Sequence, residues 1–235
     1  MDGQVIEQTK MRAAIARRMV ESKQRAPHFY VQTEVAIDAI WDRLQRLNER
    51  GEAHATMTVV LIRATVEALR RHPKLNSVWT PEGLLQASTI NLGIAIALDE
   101  GLVAPALLGA EDLSVRGIVA ALEDLVKRAR ASRLRPAEMA EATFTLSNLG
   151  MFDVSAFTAI VTPPQVAILA LARPVERWSI ENGEPVRRAV MTATLSADHR
   201  ALDGVDVARF LETFKGLFEN SEMLLPEPDL KEAIP

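Results

Sequence analysis

The sequence predicts an α/β domain of the two-layer α+β kind, with helices covering one face of a mixed sheet. Segments of helical period and segments of strict alternation are interleaved along the chain, which puts both element types into one core. No linker, internal repeat or low-complexity stretch divides the 235 residues. A 48% hydrophobic fraction beside 25% charged residues supplies enough apolar surface for that core.

Residues 1–10 read as a polar arm. Met11, Ile15 and Met19 recur every fourth residue, so "MRAAIARRMVESKQ" is predicted as an amphipathic helix with a basic outer face, ended by Pro27. "HFYVQTEVAI" alternates as a strand does, and Asp38 stands where it can cap a helix carrying Ile40, Trp41, Leu44 and Leu47. "TMTVVLIRATVEALRRH" is a third helix, more apolar and therefore more central.

"TINLGIAIAL", residues 89–98, is predicted as one strand, turned by "DEGLVAP". Ser114 caps a long helix with Val115, Ile118, Val119, Leu122, Leu125 and Val126 on one face. "TFTLSN", "QVAILALA" and "AVMTATLSA" are three more strands. Pro163-Pro164 and "RPVERWSIENGEPVRR" read as loops within the domain, "ENGEP" marking a hairpin excursion. A final helix starts near Asp203 and carries Val207, Phe210, Leu211, Phe214, Leu217 and Phe218 along one stripe.

Composition excludes several functions. A net charge of −4 without a basic block argues against nucleic acid as a partner. The N-terminal residues lack a signal pattern and no apolar run is long enough to span a bilayer, so no membrane partner and a cytoplasmic location are expected. With no cysteine, the chain has no disulfide, thiolate metal site or cysteine nucleophile. His28, His54, His72 and His199 sit in no ligand spacing, so no metal is expected. Phosphate-cradling and dinucleotide glycine motifs are absent, as is a G-x-S-x-G elbow.

Two residues remain as candidates for chemistry. His199 lies at the junction of an alternating run and the last helix, where a side chain is fixed while its tip stays reachable; packing alone is the other reading. Ser147 ends a strand before Asn148 and Gly150, so it either presents a hydroxyl at the turn or satisfies nearby backbone. Together they suggest acyl transfer. A neutral imidazole has the basicity to accept a proton from a thiol, and a hydroxyl aimed at a developing oxyanion is worth about 3–4 kcal/mol. Arg200 and Asp203 either form an ion pair that braces the turn or take part in proton transfer.

"DHRALDG", residues 198–204, resembles the D-H-R-x-x-D-G signature of the 2-oxoacid dehydrogenase acyltransferases, the dihydrolipoamide acyltransferases. "MRAAIARRMVESKQRAPHFYVQTEV", "NLGIAIALDEGLVAP" and "TFTLSNLGMFDVSAFTAIVTPPQVAILALA" are similar to three further blocks of that family, in the same order. The resemblance covers nearly the whole chain and leans towards the acetyl-transferring, pyruvate-complex type. It departs where Glu141-Ala142 replaces a glycine pair, where Asp153 replaces a common glycine, and where Thr162 replaces an asparagine.

The resemblance implies a chloramphenicol-acetyltransferase-like fold in a homotrimer, with coenzyme A and dihydrolipoamide entering a channel between subunits from opposite ends. It makes His199 the general base and Ser147, from the neighbouring subunit, the oxyanion donor. Asp203 and Arg200 would support the histidine and the interface, with Asn148 beside the serine. No covalent acyl-enzyme is implied. The expected extents are an arm over 1–10, the acyltransferase domain over 11–225 and a tail over 226–235. No lipoyl domain occurs in this sequence, which therefore reads either as an excised core or as a free-standing protein that receives the lipoyl group from a lipoyl domain in trans, alongside other subunits of the complex. A stand-alone acetyltransferase acting on a small molecule and a non-catalytic core paralogue are the competing readings.

In the family, trimers join into 24-mer or 60-mer cores through an apolar C-terminal knob, and "SEMLL" with Met223, Leu224 and Leu225 resembles it. Here "PEPDLKEAIP" follows. Pro226 and Pro228 stiffen the segment, and Glu227, Asp229 and Glu232 would meet their own copies across such a contact. Large cores are therefore expected to form weakly.

Overall fold

The computed structural model describes residues 3–4, 7–51, 55–98 and 101–226. His54 and the acidic residues Glu227, Asp229 and Glu232 lie outside the described residues. The chain opens with helix α1 (Lys10–Arg25), one residue earlier than the periodicity indicates, because the Thr9 hydroxyl accepts from the Arg12 N–H and caps it. Strand β1 (His28–Ala36) and helices α2 (Asp38–Glu49) and α3 (Met57–Arg71) follow as predicted. Asp38 does not cap α2: Ile37 holds that position, and Asp38 Oδ1 accepts the Ala189 N–H at 3.0 Å, tying the helix to a strand.

Two short strands, β2 (Ser77–Thr80) and β3 (Gly83–Gln86), form a hairpin that the sequence pattern did not mark. The predicted strand over 89–98 is broken at Ala95 into β4 (Leu92–Ile94) and β5 (Ile96–Leu98). The Ala95 N–H bonds to the Leu146 carbonyl, and β5 leaves the main sheet to pair with β6 (Gly101–Val103). After β7 (Ala106–Leu107), Ser114 caps α4 (Val115–Arg130) by accepting the Gly117 N–H. A short helix α5 (Pro136–Ala140) precedes β8 (Phe144–Asn148) and β9 (Ala167–Leu171).

The stretch read as loops around "WSIENGEPVRR" is instead β10 (Val175–Glu181) and the first half of β11 (Glu184–Asp198). Asn182 and Gly183, with φ of 52° and 86°, make the tight turn between them, the conformation in which an Asn-Gly pair joins twisted antiparallel strands. The main sheet runs β1-β11-β9-β8-β4-β7, with β10 also on β11. It is mixed because β8 lies parallel to both β4 and β9, while its other pairs are antiparallel.

Helix α6 (Gly204–Glu219) lies against α3, and its stripe of Phe210, Phe214 and Phe218 is fully buried, ring centroids 6.4 and 5.1 Å apart. Phe144 of β8 continues the stack at 5.9 Å from Phe210, so the helix layer is seated directly on the strand that carries Ser147. Truncating one such ring would cost about 3–5 kcal/mol. Helix α7 (Ser221–Leu224) is the last element of the described chain. Leu224 and Leu225, expected as an exposed knob, are buried in their own subunit; only Met223 is exposed. Arg43 of α2 fastens this end by donating through Nε and Nη2 to the Leu225 carbonyl, at 3.0 and 2.8 Å.

Candidate active site

Strand β8 is covered on both edges, by β4 and β9, and Ser147 pairs with Ala170 inside that frame. Burial of both faces accounts for the run Phe144-Thr145-Leu146 being wholly inside. The backbone turn after Ser147 is satisfied by its neighbour: Asn148 Oδ1 accepts the Gly150 N–H at 2.8 Å and its Nδ2 reaches Thr58 at 3.3 Å. The turn-satisfying role weighed for Ser147 therefore belongs to Asn148. The Ser147 hydroxyl has no hydrogen-bond partner among the described residues and borders a cavity of about 470 Å³.

That cavity is mostly apolar. Met11, Ile15 and Met19, the predicted inner face of α1, form one wall, and Met139, Ala142 and Ile168 form others. The substituted position Ala142 thus lines the site, as does Thr162. Gly93 is required here by close approach: a Cβ would meet Thr145 Oγ1 at 2.9 Å and the Ala104 carbonyl at 3.3 Å. A clamp supports the α5 wall. Glu138, 4% exposed, accepts from Arg128 at 2.5 and 2.7 Å, and the pairing holds its carboxyl below the usual range despite its burial.

His199 follows the last residue of β11, with its backbone N–H on the Pro27 carbonyl at 2.9 Å and its ring 4.5 Å from that of Phe29. The residue is exposed, and its ring nitrogens have no partner among the described residues. Asp198 and Arg200 on either side border a second cavity of about 350 Å³, and His199 borders neither cavity. Within one chain, His199 does not border the cavity at Ser147.

The expected Arg200–Asp203 pair is not formed. Arg200 donates to the buried carboxylate of Asp198, with Nη2 to Oδ2 at 2.6 Å, and its guanidinium lies 4.5 Å above the Trp79 ring. This pairing raises the pKa of Arg200. Asp203 is exposed and caps α6: its Oδ1 accepts from Val205 and Asp206, while Asp206 Oδ2 accepts the Asp203 N–H. A carboxylate three residues before another at a helix start satisfies orphan N–H groups, and that demand outweighs pairing across the turn. Asp153, at a second substituted position, pairs with Arg173 at 3.0 Å on the surface. Sequence reasoning missed Thr145 and Gln165, which line the cavity and are joined by a buried hydrogen bond of 2.6 Å.

Among the described residues no group of three His, Asp or Glu side chains could hold a metal ion. No helix among them is long and apolar enough to cross a membrane.

Residues 2–226 match the family model for the 2-oxoacid dehydrogenases acyltransferase catalytic domain. The dihydrolipoyllysine-residue acetyltransferase component of the pyruvate dehydrogenase complex of Rhizobium meliloti is 38% identical over 217 residues, which is 89% of this chain and 48% of that protein. The chain spans about half the length of the curated relatives it matches. The dihydrolipoamide acetyltransferase of Azotobacter vinelandii superposes with a TM-score of 0.89 at 25% identity, covering 95% of this chain and 94% of that one. In that protein a serine, a histidine 52 residues later and an asparagine four residues beyond have been investigated for their role in the catalytic mechanism. Chloramphenicol acetyltransferase has the same fold, with a TM-score of 0.59 at 16% identity over 92% of this chain. The chain belongs to the 2-oxoacid dehydrogenase acyltransferase family and carries its catalytic domain.

Proposed function

We propose that the protein transfers an acetyl group between dihydrolipoamide and coenzyme A as the catalytic core of a 2-oxoacid dehydrogenase complex. The observation that carries this reading is a spacing. Ser147, His199 and Asp203 stand 52 and four residues apart, as do the serine, histidine and asparagine of the Azotobacter enzyme. The two reactive side chains also have the state the chemistry needs, a hydroxyl and an imidazole both without a hydrogen-bond partner among the described residues.

His199 accepts the proton of the attacking thiol. The thiolate adds to the thioester carbonyl, and the Ser147 hydroxyl donates to the oxyanion so formed. Collapse breaks the original C–S bond, and the departing thiolate takes the proton back from the imidazolium. No acyl group passes through the protein. His199 borders neither the Ser147 cavity nor the one beside Asp198, which fits a homotrimer in which each site joins Ser147 of one subunit to His199 of the next. The apolar cavity at Ser147 fits the alkyl arm of a lipoyl group. Asp203 acts by setting the turn that carries His199, and Arg200 by bracing Asp198 beneath it. The acyltransferase domain extends over 11–225.

A panel of acyl-CoAs with free dihydrolipoamide tests the reading. Acetyl transfer is expected to be fastest, and His199→Ala is expected to lose about 10²–10⁴ in rate while remaining trimeric. Near-native turnover in that variant would overturn the mechanism. Transfer to small hydroxyl or amine acceptors in place of dihydrolipoamide would overturn the substrate assignment.

A further inference from the structure

The two cavities share a wall, and one polar side chain stands in it. Pro164 and Gln165 border both the Ser147 cavity and the cavity beside Asp198 and Arg200. Gln165 is 6% exposed, and its Oε1 accepts from the Thr145 hydroxyl at 2.6 Å. The other end of the carboxamide, with two N–H donors, has no partner among the described residues. That nitrogen is not among the fully buried unpartnered atoms, so it opens onto the cavities that Gln165 lines, where water or a ligand acceptor can meet it.

The backbone around it is held from three directions. The Gln165 N–H bonds to the Thr162 carbonyl at 3.0 Å, Val78 of β2 bridges to Gln165, and the Trp79 N–H bonds to the Pro164 carbonyl at 2.7 Å. The donor is therefore preorganised before any ligand arrives, which is the condition for a selective contact.

The surroundings define what it would bind. On one side the lining is apolar, with Met11, Ile15 and Met19. On the other it is polar, but Asp198 is neutralised by Arg200 and Glu21 by Arg25, so the wall has no net demand for an ion. A neutral acceptor on an alkyl chain fits this junction. We propose that Gln165 is a substrate-binding residue that donates to an amide carbonyl of the thiol substrate's arm where the arm passes from one cavity to the other. This rests on the acyl-transfer reading above. Both thiols of that reaction carry such an amide, the pantetheine part of coenzyme A and the carboxamide of dihydrolipoamide.

Gln165→Glu separates the ligand contact from the structural one, since it keeps an oxygen for Thr145 and loses the N–H donors. It is expected to raise KM for one of the two thiols by roughly 3–10-fold, with kcat within about twofold. Whether KM rises for coenzyme A or for dihydrolipoamide identifies the arm. If the arm is dihydrolipoamide, the wild type should lose a similar factor with an alkyl dithiol of the same length lacking the amide. The variant should then no longer distinguish the two dithiols. Gln165→Met, similar in size and unable to donate, replaces the first variant should that one fail to fold. Unchanged KM for both thiols in a folded variant would overturn the proposal while leaving the acyl-transfer reading intact. If the wild type transfers no acetyl group at all, that reading fails instead. Calorimetric binding of coenzyme A and of dihydrolipoamide to wild type and variant then decides the role of Gln165, equal affinities for both overturning it.

Discussion

Arg200 closes on Asp198, its neighbour but one, and leaves Asp203 to the helix that follows. The backbone N–H of Arg200 bonds to Asp198 Oδ1 at 3.0 Å, and Nε and Nη2 take both carboxylate oxygens at 2.6–3.1 Å. The ion pair thus locks the backbone on both sides of His199, and the capped helix start locks the turn beyond it. The histidine is held by a structural brace on each flank rather than by a charge placed against its ring.

Asp203 should consequently tolerate asparagine. Both residues cap helices equally well, whereas alanine costs about 1 kcal/mol. Asp203→Asn is expected to keep melting temperature and turnover close to wild type, and Asp203→Ala to lower both. A stable Asp203→Asn protein that lost about 100-fold in kcat would show that the carboxylate charge acts on the chemistry.

Ser147→Ala should lower kcat by about 10²-fold with little change in KM, because the hydroxyl is needed only when the oxyanion forms. Stability should be nearly unchanged, since the hydroxyl holds no backbone group and Asn148 carries the turn. Chemical denaturation of the variant beside steady-state kinetics checks both statements.

Stability should fall with acid through His72. Its Nε2 and Thr213 Oγ1 lie 2.7 Å apart and join α3 to α6. Burial, and then the positive field of Arg209 and Arg71, hold its pKa below 6.5, with Asp206 opposing. The unfolded chain therefore takes up the proton first as pH falls. The stabilisation is complete above the ordinary imidazole value and is lost as pH falls through the lowered folded value. Denaturant midpoints measured from about pH 7.5 to about pH 5 should decline in the wild type and flatten in His72→Gln. The carboxylates of Asp206 and Glu138, also lowered, act in a separate and more acid window.

The assembly should stop mainly at the trimer. Leu224 and Leu225 are already buried within their own subunit and tied down by Arg43, so little apolar surface remains at Met223 for a facing trimer. Light scattering of the intact chain and of one ending at Leu225 is expected to show trimers in both. A stable 24-mer or 60-mer from the intact chain at low concentration would refute this.

Local pattern carried much of this molecule. Three helices with continuous apolar stripes, the Ser114 cap and the buried run around Val166–Ala172 were all legible, because helical period and alternation report directly which side chains leave water. The candidacy of His199 and Ser147 was legible as well, from chemistry and from motif. What local pattern did not carry depends on partners distant in the chain. Ala95 breaks a strand because Leu146, 51 residues away, takes its N–H. Leu224 and Leu225 are internal because Arg43 and the helix layer receive them, although their residue types suit an exposed knob equally well. Arg200 had two carboxylates within reach, and the cap geometry of α6 settled which one it took. Gln165 acquires meaning only where β2, β8 and the segment before β9 converge around two cavities. An amide in a loop looks like any other until folding pairs one end of it with Thr145 and opens the other onto those cavities.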